Sequence, residues 1–118
     1  MLADAVERFE ASYRKVVDSC LKLGLPLVVC TVYHGNFPEP SYQRRVVVAL
    51  SAFNDAIIRI AVEKNLKVID LRFICNSPAD YANPIEPSVV GGAKISQAIL
   101  RAVGALRGAS GGAVVVAG

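Results

Sequence analysis

The run Leu27-Val28-Val29-Cys30-Thr31-Val32 constrains this chain more than any other stretch. It is apolar almost without interruption. A strand with one wet face alternates, so this run reads as a strand covered on both faces in a parallel sheet. Parallel neighbours cannot be joined by a tight hairpin and need a long crossover, usually a helix. The flanking segments read as helices from their own patterns. From Leu2 to Leu23, apolar residues recur at Leu2, Val6, Phe9, Tyr13, Val16, Val17, Cys20 and Leu21, the three-to-four spacing of an amphipathic helix. Gly24 is placed to end it in the left-handed conformation, and Pro26 blocks its continuation.

After the strand, Tyr33 to Pro40 is a loop marked by Gly35, Asn36, Pro38 and Pro40. Ser41 is placed to cap a second helix from Tyr42 to Lys64, whose apolar residues (among them Val46, Leu50, Phe53, Ile57 and Ile60) cover more than one face. Asn65 ends it, and Leu66 to Leu71 is a second short strand closing on Asp70-Leu71-Arg72. Phe73 to Pro87 is loop, with a turn begun by Ser77-Pro78-Ala79-Asp80. Ser88 caps a last helix from Val89 to Leu106. Residues 1–107 read as a single domain, followed by a glycine-rich tail, 108–118, whose Ala113–Val116 is either disordered or a short added strand. Helix–strand–helix–strand–helix is half of a doubly wound α/β layer, and two parallel strands make a poor sheet.

The bulk properties bound the function. The 118 residues are 53% apolar, which excludes a disordered chain, and a mean hydropathy of +0.43 is high for a small domain with so much surface. Some apolar surface is therefore expected to meet something outside this chain, a second copy or a missing part of the fold, and a homo-oligomer is the expected state. A net charge of +3 with Arg44-Arg45 as the only adjacent basic pair gives no nucleic-acid footprint. Cys20, Cys30 and Cys75 have neither metal spacing nor an even count, so they read as buried thiols in a reducing compartment. The acidic and basic N-terminus is unlike a signal peptide, and no apolar run reaches membrane-spanning length. The expected setting is cytoplasmic, away from membranes.

The chemistry-bearing residues gather in Tyr81 to Ile95, a proline-marked loop running into a helix. Asn83, Glu86 and Ser88 crowd the helix start beyond the second strand, where α/β proteins place their ligands. Glu86 is either a general base or a charge favoured by the helix dipole. His34, the sole histidine, lies in the loop after the first strand; it is either an acid–base group or packed by Tyr33 and Phe37. Asp70 either reaches the same edge or pairs with Arg72. Cys75 has no neighbour in sequence that would lower a thiol pKa. Gly91-Gly92-Ala93-Lys94 lacks the earlier Gly and the following Ser or Thr of a phosphate loop, so no nucleotide cofactor and no metal is expected.

Leu27 to Tyr33, the helix holding Phe53-Asn54-Asp55-Ala56-Ile57, Leu66 to Arg72, and Pro84-Ile85-Glu86-Pro87-Ser88 through Gly91 to Ile95 follow one another as in one family. In that order and spacing, between about Ala5 and Val103, they resemble the C-terminal half of the SGNH (GDSL-type) esterases and lipases. The resemblance implies a flavodoxin-like three-layer α/β/α sandwich, here partial, with a short parallel sheet flanked by three main helices. It also implies ester hydrolysis by a serine in an N-terminal Gly-Asp-Ser block, oxyanion-hole donors in the next two blocks, and a C-terminal Asp-x-x-His. A serine hydroxyl is a weak nucleophile until a base takes its proton, and the oxyanion needs preorganised donors. Gly-Asp-Ser occurs nowhere in these 118 residues. Asn83 stands where the family has Asp, and Glu86 where it has His. Asn54, inside a helix, is not the oxyanion Asn. The chain is thus expected to be a fragment or shortened relative without esterase activity of its own. A small ester would be the substrate of an intact parent, with His34, Asn36 and Ser88 lining its site. Two further readings are a non-catalytic module that completes its core by association, and a small-ligand binder using His34 and Asn36.

Overall fold

The computed structural model describes residues 1–107 and 113–118. Three helices and three short strands alternate as α1 (Leu2–Leu21), β1 (Val28–Cys30), α2 (Pro40–Glu63), β2 (Lys67–Ile69), α3 (Val89–Arg107) and β3 (Val114–Val116). The class is α/β. The strands form one parallel sheet in the order β1-β2-β3, with Val29 opposite Val68 and Val68 opposite Val115. Within the tail, 114–116 is thus a strand, the third that a two-stranded sheet lacked. Residues 108–112 of that tail lie outside the described residues.

Alternation along the strands divides the core in two. Val29 and Val68 pack with Val17 of α1 and Ile57, Ile60 and Ala61 of α2. Ile69 points the other way, to Ala98 and Ala102 of α3, with Val28 and Val116 beside it. Helices α1 and α2 therefore cover one face and α3 the other, and each fully buried aliphatic chain contributes about 1.5–3 kcal/mol. Both crossovers step the same way across the sheet while their helices take opposite faces, so they have opposite hands. One of them is the left-handed kind that parallel sheets seldom use. The seam between α1 and α2 carries ion pairs from Glu10 to Arg14 and Arg59 and from Asp18 to Lys64. Such pairs near the surface contribute little each.

Several expectations change. The strands are three residues long, and β1 is an edge strand, so Cys30 is exposed rather than covered on both faces. Of the three cysteines only Cys75 is buried. Helix α2 begins at Pro40, two residues early, because the Glu39 carboxylate accepts from Ser41 N and Tyr42 N and so takes the capping place assigned to Ser41. Gly24 does end α1 with φ +73°, and Asn65 ends α2 with φ +57°. The turn begun at Ser77 is a single 3-10 turn, Pro78–Asp80.

Candidate functional site

The carboxyl ends of β1 and β2 present a side-chain network. Thr31 Oγ1 donates to Asp70 Oδ1 at 2.9 Å and accepts from Leu71 N at 3.0 Å. Asp70 is buried and grips Arg72 with both oxygens, at 2.8 Å from Nε and 2.6 Å from Nη2. Burial alone would raise its pKa, but the bonds from Arg72 and Thr31 outweigh it and hold the carboxyl below its ordinary value. Of its two readings, Asp70 takes the pairing with Arg72. Beside β1, the buried Asn54 clamps Val32. Its Oδ1 accepts from Val32 N at 2.8 Å, and its Nδ2 donates to Val32 O at 2.9 Å. A side chain of α2 thereby stands in for a neighbouring strand and fixes where the loop after β1 departs.

That loop is held on two sides. Gln43 accepts from Phe37 N at 2.8 Å and donates to Gly35 O at 3.2 Å. Asn36 N donates to Pro84 O at 2.9 Å, which ties the loop after β1 to the loop before α3. Gly35 sits at φ +79°, and a Cβ there would stand 2.7 Å from the same carbonyl, so the approach requires glycine. His34 is half-buried, and its Nε2 is buried with no partner among the described residues. Burial first, then the charge of Arg72, pushes the imidazole below its ordinary value, with Asp70 opposing. The ring is neutral at pH 7.

The ring of His34 lines two cavities. One, of 240 Å³, has polar walls that include Arg72, Asn76, Ser77 and Tyr81. The other, of 340 Å³, is almost wholly apolar, with Phe37, Tyr42, Val46, Leu50 and Ile85. Phe37 and Tyr42 meet edge to face at 5.0 Å there. Around the polar one, Tyr33 and Tyr81 meet edge to face at 5.5 Å, and Tyr81 Oη donates to Cys75 O at 2.7 Å. Burial pushes the Cys75 thiol up, so it is no activated nucleophile.

Asn83, Glu86 and Ser88 each take a different local role. Asn83 Oδ1 accepts from Ile85 N at 2.9 Å and Glu86 N at 2.8 Å, closing an Asx turn at an exposed tip. Glu86 is exposed, and its carboxylate bonds to no described residue. Its charge reaches Tyr33, where, after burial and Cys75, it helps to raise the phenol's pKa. Ser88 Oγ donates to Ala79 O at 2.6 Å and accepts from Gly91 N at 3.2 Å, so its hydroxyl caps α3. His34 and Asn36 do share the cleft.

The loop is organised by a residue that periodicity does not mark. Asp80 is 0% exposed; its Oδ2 accepts from Asn76 N, Ser77 N and Ser77 Oγ at 3.0–3.1 Å, and its Oδ1 meets Lys94 Nζ at 2.7 Å. Lys94 and the backbone donors hold the carboxyl below its ordinary value. Its carbonyl accepts from Ser88 N at 2.8 Å. A Cβ on Gly91 would overlap that carbonyl, which explains the glycine of the Gly-Gly pair. Ser77 and Asp80 stand at capping-box spacing, a signal legible in the sequence.

No family model matches the chain, and neither does any curated protein or solved structure. Among the described residues no group of three or more potential metal ligands forms, and no helix is long and apolar enough to cross a membrane.

Proposed function

We propose that the chain is a shortened relative, or the C-terminal portion, of an SGNH-type ester hydrolase with a flavodoxin-like three-layer fold. The observation that carries the reading is the joining of the two strand-end loops by Asn36 N and Pro84 O. It brings the loop of Tyr33 and His34 beside the loop of Glu86, whose charge reaches Tyr33, at the carboxyl edge of a parallel sheet, the edge where α/β proteins bind ligands. Glu86 is exposed there, its carboxylate bonded to no described residue. It would act on a serine supplied by a Gly-Asp-Ser block outside these residues, while Asn83 holds the turn that presents it. These 118 residues contain no Gly-Asp-Ser block and should not turn over 4-nitrophenyl acetate. Turnover by the pure chain, lost in Glu86→Ala, would contradict this. A reading frame that continues upstream without a Gly-Asp-Ser strand would overturn the C-terminal-portion reading.

A second reading, self-association, is favoured by the apolar outer side of α3, where Val89 is 92% and Leu100 66% exposed. Static light scattering at micromolar concentration checks it. A dimer is expected, and a clean monomer would count against it.

A further inference from the structure

The polar cavity beside His34, of 240 Å³, is smaller than the roughly 300–1,000 Å³ of drug-sized sites and suits a fragment of a few heavy atoms. Charge narrows what it takes. Arg72 is the only charged residue among its walls, and Asp70 already neutralises it through Nε and Nη2. His34 is neutral at pH 7. An anion entering would lose hydration without meeting an uncompensated cation, and a cation would meet no carboxylate in the wall. Several polar groups of the wall are also taken. Gln43 holds Phe37 N and Gly35 O, Ser77 Oγ donates to Asp80, and Tyr81 Oη donates to Cys75 O. Left without a partner among the described residues are Arg72 Nη1, the side-chain carboxamides of Asn36 and Asn76, and His34 Nε2, which is buried. A buried polar atom in that condition calls for a ligand or a water.

Arg72 Nη1 can only donate, whereas a neutral imidazole nitrogen accepts or donates according to its tautomer. Their complement is an uncharged group that accepts at one atom and donates at the next. A primary carboxamide does both, with an oxygen that accepts twice and a nitrogen that donates twice. We infer that the polar cavity beside His34 binds a small primary carboxamide, its oxygen on Arg72 Nη1 and the Asn76 carboxamide and its nitrogen on His34 Nε2. The chain already seats carboxamides of its own by the same paired bonding: Asn54 on Val32 N and O, and Gln43 on Phe37 N and Gly35 O. The inference stands apart from the hydrolase reading. It gives a definite chemistry to the reading of this edge as a small-ligand site.

Propionamide, propionate and butanone test it, because they share one shape and differ in what stands beside the carbonyl oxygen: an amide nitrogen, a charged oxygen or a methyl. The full chain is titrated with each at pH 7.5 while NMR follows the Hε1 resonance of the single histidine and the backbone amides of Gly35 and Asn76, which line the cavity. Propionamide should shift these resonances saturably. Butanone, which lacks the N–H donors, should bind roughly fivefold more weakly, the effect of one hydrogen bond, and propionate should give no saturable shift at equal concentration. His34→Phe keeps a ring but removes Nε2, and should weaken propionamide binding by about the same factor, read at the Gly35 and Asn76 amides with folding checked by circular dichroism. Should that variant fail to fold, Asn76→Ala, at an exposed position, decides in its place, and should also bind roughly fivefold more weakly. No saturable shift with propionamide would overturn the inference. So would butanone or propionate binding as tightly as propionamide, or a folded His34→Phe or Asn76→Ala chain binding it as tightly as the parent chain.

Discussion

The loop between β2 and α3 has two ends built on opposite rules. At its base, Asp80 is fully buried and its carboxylate meets three loop donors and the Lys94 ammonium. At its tip, Asn83 and Glu86 are exposed, the first bonded only to its own turn and the second to nothing described. Both ends are polar and lie a few residues apart. Burial is the difference. A buried carboxylate must be satisfied or the fold loses several kcal/mol, so the base can hold only structural roles. An exposed one carries no such obligation and is free to act on something else.

The contrast can be broken most severely at the base. Asp80→Ala strands two backbone amides and Lys94, and should cost about 3–5 kcal/mol in chemical denaturation. A loss below about 1 kcal/mol would mean that water replaces the carboxylate without penalty. Gly91→Ala forces a methyl against the Asp80 carbonyl and should cost about 2–3 kcal/mol by the same measurement. The tip should respond far less. Asn83→Ala removes an exposed turn and Glu86→Gln a free charge, and each should stay within about 0.5 kcal/mol of the parent chain. A large effect of Glu86→Gln would place that carboxylate in the scaffold and remove it as a candidate base.

Acid sharpens the same comparison. Asp80 and Asp70 both have folded-state pKa values below their unfolded ones. Their stabilisation is full above the unfolded value and is lost as pH falls through the folded one. His34 adds an effect at higher pH. Its folded value is lowered, so between the unfolded value near 6.5 and the folded value the unfolded chain binds the proton first and stability declines. Asp80→Asn should flatten the acid limb of a stability–pH curve, and His34→Gln the shoulder just below neutrality.

Much of the fold was legible because it rests on periodicity. The spacing of Val6, Phe9, Tyr13 and Val17 gave α1, and the unbroken apolar run gave a strand of a parallel sheet. The order of the elements gave the α/β class. What escaped were features set by tertiary contact. Nothing local tells that Leu27–Val32 would form an edge strand and leave Cys30 in solvent. Nor does a Val-Val-Val run after five glycine-rich residues announce that it will pair with β2. The candidate site was half legible. Its location at the strand ends follows from topology, and His34 and Asn36 do meet in the cleft. Of Asn83, Glu86 and Ser88, Ser88 Oγ serves the start of α3 and Asn83 Oδ1 the turn that holds Glu86 N, roles that spacing alone does not fix. Of the two residues that set the geometry, Asp80 shows in the sequence only through its capping-box spacing from Ser77, and Asn54 is a buried polar group that no spacing announces.

The clamp that Asn54 places on Val32 has a kinetic corollary. Val32 lies beyond the last residue of β1 and its side chain is 43% exposed, so by position its amide should exchange with deuterium as freely as a loop amide. The bond to a buried carboxamide on α2 ties that amide to the packing of the whole helix. Its exchange should need α2 to move away from the sheet, and should therefore be as slow as that of Val29 in the strand. Asn54→Leu would speed exchange at Val32 while leaving Val29 slow, and would measure how firmly the second helix holds the doorway of the cleft.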